Sequence, residues 1–257
     1  MTLRLLLPPS VGSARARARA ELLDQSLRAD LAETIEIDVA DGYADLAERT
    51  ERAEAHLVWM PPTVAARLEP SLRSLYKCVR HGRTTYRSSI VARRGEITSI
   101  EELVSKRAAW VDPLSVGGYL LAHAALEQAG IAAQLGAQAF HGSYPDALDA
   151  VLEGEADFTA ITVRDDSPSG LRDGLASFGG KTAIDRLAGL HVTHESPNDA
   201  VGLTRALEPR RADRIARRVF EQRDARARAA LCLALDAEGF VRASPDEYAS
   251  LRELIGG

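Results

Sequence analysis

The stretch Trp110-Val-Asp-Pro-Leu-Ser-Val-Gly-Gly-Tyr-Leu-Leu121 indicates how this chain folds, because it joins a strand to a helix through a run of small residues. Residues 107–111, which are apolar after Arg107, are typical of a strand that ends at Asp112-Pro113. Residues 119–129 have helical character and stop at Gly130. The stretch therefore predicts a strand, a tight loop and a helix in succession.

The loop between that strand and helix, Ser115 to Gly118, is the first candidate site. Small residues there let a ligand approach the backbone, and the free N–H groups and dipole of a helix start favour an anion. Ser115 equally fits a plain cap of its own helix. Both interpretations stay open from the residues alone.

Outward from this stretch, strands and helices alternate at short spacing, which predicts βαβ units around a mostly parallel sheet. Further strands are predicted at residues 3–7, 34–39, 56–60, 86–92, 138–141, 157–162, 187–193 and 201–204. Further helices are predicted at residues 14–31, 43–55, 99–106 and 145–152, with a helical tail from Pro209. Ser99 and Glu102 fit a capping box for the 99–106 helix, and residues 164–180 predict an irregular surface segment.

Length and composition exclude several classes of protein. The 257 residues suffice for one large domain or two of about 100–150 residues. A net charge of −5 does not suit a nucleic-acid-binding protein, which needs a concentrated positive face. Two cysteines, Cys78 and Cys232, exclude a disulfide scaffold, although one bridge between them is left open. No apolar run reaches the roughly 18 residues of a transmembrane helix.

Motifs for catalysis and metal binding do not emerge from the sequence. His191 and His194 have an H-x-x-H spacing, but no cysteine or carboxylate motif supports a metal site there. Ser115 lacks the first glycine of a nucleophile elbow, and no dinucleotide or phosphate-binding glycine loop occurs. We therefore predict no catalytic residue, no metal and no cofactor. The arginines of residues 205–228 are expected to form the solvated face of terminal helices.

A series of motifs, taken in chain order, resembles the substrate-binding component of phosphate/phosphonate ABC transporters, a branch of the type 2 periplasmic-binding-protein fold. The resemblance covers nearly the whole chain. It rests on the opening strand into a Pro loop and on residues 39–46 (VADGYADL), 56–62 (HLVWMPP), 86–93 (YRSSIVAR), 110–121, 140–148 (FHGSYPDAL), 154–157 (GEAD), 197–199 (PND) and 239–240 with 246–248 (GF, DEY).

The fold that this resemblance implies is α/β and two-lobed, with mixed sheets flanked by helices and a ligand cleft between the lobes. Lobe one would comprise residues 1–85 and 190–257, and lobe two residues 86–189. The lobes would close on the ligand about a hinge.

The resemblance also implies ligand contacts at Ser115, Val116 and Gly117. The family often has Ser-Thr-Ser-Gly in this loop, with hydroxyls that hold phosphonate oxygens. Val116 and Gly117 remove two of those hydroxyls, and each lost hydrogen bond to a charged oxygen costs on the order of 1.5–3 kcal/mol. A tetrahedral oxyanion then depends more on the backbone N–H groups.

Two further departures from the family pattern affect the ligand. Tyr144 stands where His is common; it keeps a hydroxyl donor but cannot become a cation near neutral pH. Thr162 stands where members that hold an aminoalkyl group often have an acidic residue. Together with the altered loop, these changes favour a less charged ligand, or one with an apolar part.

The resemblance implies four more ligand contacts: Ser10, Tyr43 and Met60 occupy positions that face the cleft in the family, and Tyr86 lies at the first crossing between the lobes. Tyr43 and Tyr86 also match the family's residues. For each, a packing role is the alternative.

The function predicted is a solute-binding protein that closes on a small anionic ligand of the phosphate/phosphonate class, as a transport component and not an enzyme. Its implied partners are the small ligand, an oxyanion or small organic acid, and an ABC permease; no nucleic acid is expected, and the chain is expected to be a monomer. It is expected to be periplasmic or extracellular if a leader was removed, and cytoplasmic if the chain is complete. The alternatives are a cytoplasmic enzyme on the same fold, similar to those of the menaquinone pathway, and a cytoplasmic ligand-sensing module.

Overall fold

The computed structural model describes residues 2–9, 13–222, 225–249 and 251–252. The chain divides into two compact units. The first comprises Met1–Pro9, Ser13–Thr84 and Pro197–Gly257, and the second is built on Thr85–Ser196. This division describes how the chain packs into units. The prediction that two lobes, with boundaries near residues 85 and 190, close on a ligand stays a prediction.

The first unit is a mixed α/β layer built on a six-stranded sheet with the order β12-β4-β11-β3-β1-β2. β1 pairs in parallel with β2 and β3, whereas β11 and β12 pair antiparallel to their neighbours. Its elements are β1 (Leu3–Leu7), α1 (Ser13–Leu31), β2 (Ile35–Val39), α2 (Tyr43–Glu51), β3 (Leu57–Met60), α3 (Pro62–Leu68), β4 (Ser74–Val79), β11 (Ala200–Leu203), α7 (Pro209–Ile215), α8 (Arg226–Ala234) and β12 (Gly239–Arg242).

The second unit is also mixed, with the strand order β10-β5-β8-β6-β7 and β9 paired to β5. β6 lies parallel to β7 and β8, and β5 lies antiparallel to β8 and β9. Its elements are β5 (Thr85–Arg93), β6 (Ala108–Trp110), α4 (Leu121–Gln128), β7 (Gln138–Phe140), α5 (Tyr144–Glu153), β8 (Phe158–Val163), α6 (Pro168–Arg186), β9 (Leu187–Val192) and β10 (Ser196–Pro197).

Alternation along β5 and β8 divides the second unit's core between the two faces of its sheet. Ile90 and Phe158 belong to a cluster with Trp110 and the buried side of α4. Val91 and Ile161 belong to a second cluster with the buried sides of α5 and α6. Both faces of this sheet are therefore covered by helices, as the mixed α/β prediction requires.

Residues 164–180 are not the irregular segment that the sequence predicted. They contain most of α6, whose N-terminus is capped by the Ser167 hydroxyl accepting from Gly170 N. The glycines that suggested a loop instead allow close packing: a Cβ on Gly174 would lie 2.6 Å from the Thr162 carbonyl oxygen. Gly180, at φ 61°, then interrupts the helical backbone.

The predicted helix at residues 99–106 is also wrong. Only a 3-10 turn forms, at Ile100–Leu103, and Ser99 makes no cap hydrogen bond. Glu102 instead accepts from the backbone N–H and the hydroxyl of Thr98, so the expected capping box between Ser99 and Glu102 does not form. Ser105 has φ 62°, a left-handed conformation that a continued helix would not allow.

Several smaller features bear on the sequence-based expectations. In the part of the chain that the structure describes, none of the helices combines the length and apolar character needed to cross a bilayer. Cys78 is buried, Cys232 is half-buried, and both are free thiols. Burial raises the pKa of the Cys78 thiol well above its ordinary value, which makes it a poor nucleophile.

Candidate functional site

The candidate site lies in the second unit, where β6 gives way to a helix that starts earlier than predicted. Val116–Leu120 form a π-helical turn that continues directly into α4, so the helix begins at Val116 and not at residue 119. Asp112 shapes the preceding turn: its carboxylate accepts from Leu114 N at 2.7 Å, and its carbonyl accepts from Ser115 N at 2.9 Å.

Ser115 caps this helix. Its hydroxyl oxygen accepts from Gly118 N at 3.1 Å, and the residue is buried. The cap is the alternative that the sequence left open, while contact between Ser115 and a ligand stays a prediction. The amides of Val116 and Gly117 belong to the first helical turn and have no intrahelical acceptor, so they and the helix dipole favour an anion.

Gly117 is the point at which three predicted residues come together. A Cβ on Gly117 would clash with the Thr162 methyl group, would lie 2.8 Å from the Tyr144 hydroxyl and would lie 3.0 Å from the Tyr86 ring. Gly117 is therefore required by close approach, because any side chain would overlap these groups. The hydroxyl that the family often has at this position is absent because the surrounding groups leave no room for a side chain.

The pairing of β5 with β8 brings these side chains next to Gly117. Ser88 on β5 pairs with Thr162 on β8, so both side chains lie on the same face as Tyr86. The Ser88 hydroxyl is buried and donates to the Gly117 carbonyl at 2.6 Å. Sequence reasoning missed Ser88, although a serine inside a buried strand is a signal for a hydrogen-bonded partner.

Tyr144 reaches Gly117 from the N-terminus of α5. Ser143 caps that helix by accepting from Asp146 N, and Tyr144 is its first residue. The Tyr144 ring stacks on Phe178 of α6, with centroids 4.4 Å apart and planes at 19°. Only 8% of Tyr144 is exposed, so its ring is held within the fold.

The groups around Gly117 carry no formal charge at neutral pH: two phenols, two aliphatic hydroxyls and helix N–H groups. The nearest arginines along these strands are engaged elsewhere. Arg87 pairs with Glu195, and Arg164 pairs with Asp165 and Asp173. The cluster therefore presents dipoles and aromatic surface.

Two of the other predicted site residues belong to the first unit. Tyr43, the first residue of α2, and Met60, the last residue of β3, are buried in the first unit. The Met60 methyl group packs against Gly202 of β11. Ser10 lies outside the described residues, and a ligand contact at any of the three stays a prediction.

Comparison with known proteins gives a consistent result. A family model described as the periplasmic substrate-binding protein of a phosphonate ABC transporter matches residues 5–248. No curated protein sequence matches the chain significantly.

Among solved structures, a binding-protein component of an ABC phosphonate transporter from Pseudomonas aeruginosa has a TM-score of 0.81 at 16% identity, covering 99% of this chain and 85% of that one. PhnD1 from Prochlorococcus marinus, in complex with methylphosphonate, has a TM-score of 0.78 at 16% identity, covering 98% and 96%. A Xanthomonas citri protein bound to ATP has a TM-score of 0.74 at 19% identity, covering 99% and 96%.

At these identities the solved structures establish the two-lobed periplasmic-binding-protein fold. The family model covers nearly the whole chain and carries the functional assignment. Both agree with the resemblance seen in the ordered motifs. The chain therefore belongs to the family of periplasmic substrate-binding proteins of phosphonate ABC transporters.

Proposed function

We propose that this protein binds a small phosphonate whose substituent is uncharged and delivers it, in the periplasm, to the permease of an ABC transporter. Methylphosphonate, the ligand in the Prochlorococcus marinus structure, is the simplest member of that class. The family is a transport component, and the proposal assigns no catalytic step to this chain.

The observation that carries the proposal is the start of the helix at Val116, next to the uncharged cluster around Gly117. The amides of the first turn offer hydrogen bonds to the phosphonate oxygens, and the helix dipole favours their negative charge. With a net charge of −5, the chain as a whole does not attract an anion, so these local groups must do so.

The substituent of the ligand is argued from the side chains that approach Gly117. Thr162 offers a hydroxyl and a methyl group, and Tyr86 and Tyr144 offer ring surfaces. An ammonium group among them would lose hydration without gaining a carboxylate partner, which is costly. A methyl or ethyl substituent loses no such hydration and gains apolar contact.

Isothermal titration with methylphosphonate, ethylphosphonate, 2-aminoethylphosphonate, phosphate and methanesulfonate tests the proposal. We expect the two alkylphosphonates to bind tightest and 2-aminoethylphosphonate at least tenfold more weakly, since one uncompensated charge exceeds about 1.4 kcal/mol. A thermal-shift series run in parallel should follow the same order, because a ligand at 100 times its Kd adds about 2.7 kcal/mol of stability.

Two results would overturn the proposal in different ways. Equal or tighter binding of 2-aminoethylphosphonate would exclude the uncharged substituent. Absence of heat and thermal shift with every phosphonate would exclude the ligand class. The cytoplasmic enzyme and the ligand sensor, the alternatives raised from the sequence, are not favoured by membership in a transport family.

A further inference from the structure

The turn of α6 that contains Phe178 packs against α5 at the candidate site, in the segment that the sequence predicted to be irregular. Phe178 is half-buried, and its ring lies nearly parallel to that of Tyr144, with centroids 4.4 Å apart. A planar stack of this kind covers one face of the tyrosine ring. Rotation of the Tyr144 side chain away from Gly117 would break the stack.

The backbone next to Phe178 determines where along α5 its ring contacts Tyr144. A Cβ on Gly179 would lie 2.6 Å from the Ala183 Cβ and 3.3 Å from a methyl group of Leu148 on α5, so α6 lies close to α5 at this level. Gly180, with φ 61°, then interrupts the helix two residues after Phe178. The stack is therefore set by the backbone of α6 as well as by the two rings.

The other end of Tyr144 is equally constrained. Its backbone is the first turn of α5, held by the Ser143 cap, and its hydroxyl lies 2.8 Å from the point where a Gly117 Cβ would be. A phenol at that point can donate a hydrogen bond to an oxyanion held at the start of the helix. The direction of that hydrogen bond depends on the orientation of the ring.

We propose that Phe178 is a positioning residue for the ligand: by stacking on Tyr144 it holds the tyrosine hydroxyl beside the helix start at Gly117. The proposal rests on the function proposed above, because it assumes that the oxyanion binds at this helix start. Phe178 itself need not touch the ligand. Its effect on affinity should pass entirely through the Tyr144 hydroxyl.

A double-mutant cycle tests this dependence, with methylphosphonate as the probe and Kd measured by isothermal titration. Phe178→Leu keeps apolar volume but removes the planar ring, and we expect Kd to rise about 2- to 10-fold, the range of an aromatic pair. Tyr144→Phe keeps the stack and removes the hydroxyl, and it should also raise Kd. The double variant should bind no more weakly than Tyr144→Phe alone.

The controls separate positioning from general stability. Phe178→Tyr restores a stacking ring and should restore wild-type affinity. Phe140→Leu removes another aromatic ring of the same unit, one that contacts Tyr119 at 5.2 Å, and should leave Kd unchanged. Ligand binding should also perturb the tyrosine ultraviolet spectrum of the wild type, and Phe178→Leu should diminish that signal in proportion to its loss of affinity. If Phe178→Leu does not fold, Phe178→Met serves in its place.

The outcomes are distinguishable. An unchanged Kd in Phe178→Leu, or an equal further loss when it is added to Tyr144→Phe, would overturn the positioning role while leaving the proposed function intact. Absence of phosphonate binding by the wild-type protein would overturn the proposed function and, with it, the role of Phe178. Loss of the Phe178 effect in the Tyr144→Phe background supports both.

Discussion

The helix start at Val116 and the segment Pro197-Asn198-Asp199 both match family motifs, but their polar groups differ in whether they are hydrogen-bonded within their own unit. Around Asp199, polar groups find partners within the first unit. Its carboxylate accepts from Trp59 Nε1 and from the Arg80 guanidinium, and Asn198 Nδ2 donates to the carbonyls of Cys78 and Arg83. Around Gly117, the first-turn amides of a helix have no intrahelical acceptor.

The difference shows how a structural motif is told from a binding motif. A mostly buried charge, such as the Asp199 carboxylate, stabilises the fold when its hydrogen bonds are made inside the protein. Backbone donors at a helix start that have no intrahelical acceptor, next to small and uncharged groups, are suited to a ligand. If this distinction is right, mutations in the two regions should separate stability from affinity.

The largest effect on stability is expected from Asp199→Ala. Burial disfavours the Asp199 carboxylate, but the Arg80 guanidinium outweighs burial and lowers its pKa. Removing the carboxylate leaves Arg80 largely buried without its counter-charge, and we expect a loss of about 3 kcal/mol in the free energy of unfolding. Urea denaturation followed by circular dichroism measures it.

The folded fraction of Asp199→Ala should still bind methylphosphonate with a Kd near that of the wild type. Asp185→Ala is the control, because its ion pair with Lys181 is exposed and its unfolding midpoint should not change. A stable Asp199→Ala protein with weakened ligand binding would contradict the structural role.

The next largest effect is expected from Gly117→Ala, and it should fall on affinity as well as stability. The new methyl group would overlap the Thr162 methyl and crowd the Tyr144 hydroxyl, so we expect overpacking to cost about 1–3 kcal/mol. Displacing those groups should also raise the Kd for methylphosphonate at least tenfold. Adding Thr162→Ser, which removes one clashing methyl group, should recover part of both losses.

Gly136→Ala is the matched control for this variant. Its Cβ would lie 2.7 Å from the Ser105 carbonyl, a backbone clash in the same unit that involves none of the groups around Gly117. It should lower stability without changing Kd. An equal loss of affinity in both glycine variants would show that Gly117 acts only through the fold.

Much of the fold could be predicted from the sequence, but less of the candidate site. Strands such as β1 and β3 were predictable because short, largely apolar runs that end at proline leave few alternatives. The α6 helix was missed because Gly170 and Gly174 are typical of loops. Only the folded structure shows why these positions lack side chains: Gly174 packs against the backbone of β8, and Gly170 packs against Asp165.

Within the site, Tyr144 and Thr162 were named from the resemblance, but their meeting at Gly117 was not predicted. That meeting depends on strand register and on where two helices begin, neither of which appears as a local pattern. Phe178 could not be found at all, since it lies in the segment whose helical character was missed. Residues that act through a neighbour leave the weakest signal in a single sequence.

A smaller effect is expected from Ser88→Ala. The variant removes the buried hydrogen bond from the Ser88 hydroxyl to the Gly117 carbonyl, at a cost of about 1 kcal/mol in unfolding free energy. Because the same peptide unit carries the start of the helix, Kd for methylphosphonate should rise a few-fold. Thermal denaturation and titration calorimetry measure the two quantities.

The neighbouring serine provides a sharp control. The Ser89 hydroxyl is buried on the opposite face of β5 and has no hydrogen-bond partner among the described residues. Ser89→Ala should therefore be neutral or slightly stabilising, with unchanged Kd. If both alanine variants behave alike, the Ser88 hydrogen bond does not organise the site.

The smallest effect is expected at Asp157, in the Gly-Glu-Ala-Asp motif, where stability should respond to acid. Hydrogen bonds from Arg107 lower the pKa of Asp157 to about 2, below its ordinary value of 3.8. A carboxyl whose pKa is lowered by folding stabilises the protein fully above its unfolded pKa, and that contribution is lost as pH falls through the folded pKa. Urea midpoints measured between pH 7 and pH 2 should therefore fall less steeply below pH 4 in Asp157→Asn than in the wild type. Asp185→Asn, which alters an exposed ion pair, should retain the wild-type slope. If the Asp157→Asn profile is parallel to that of the wild type, the Asp157 carboxylate does not contribute to the pH dependence of stability.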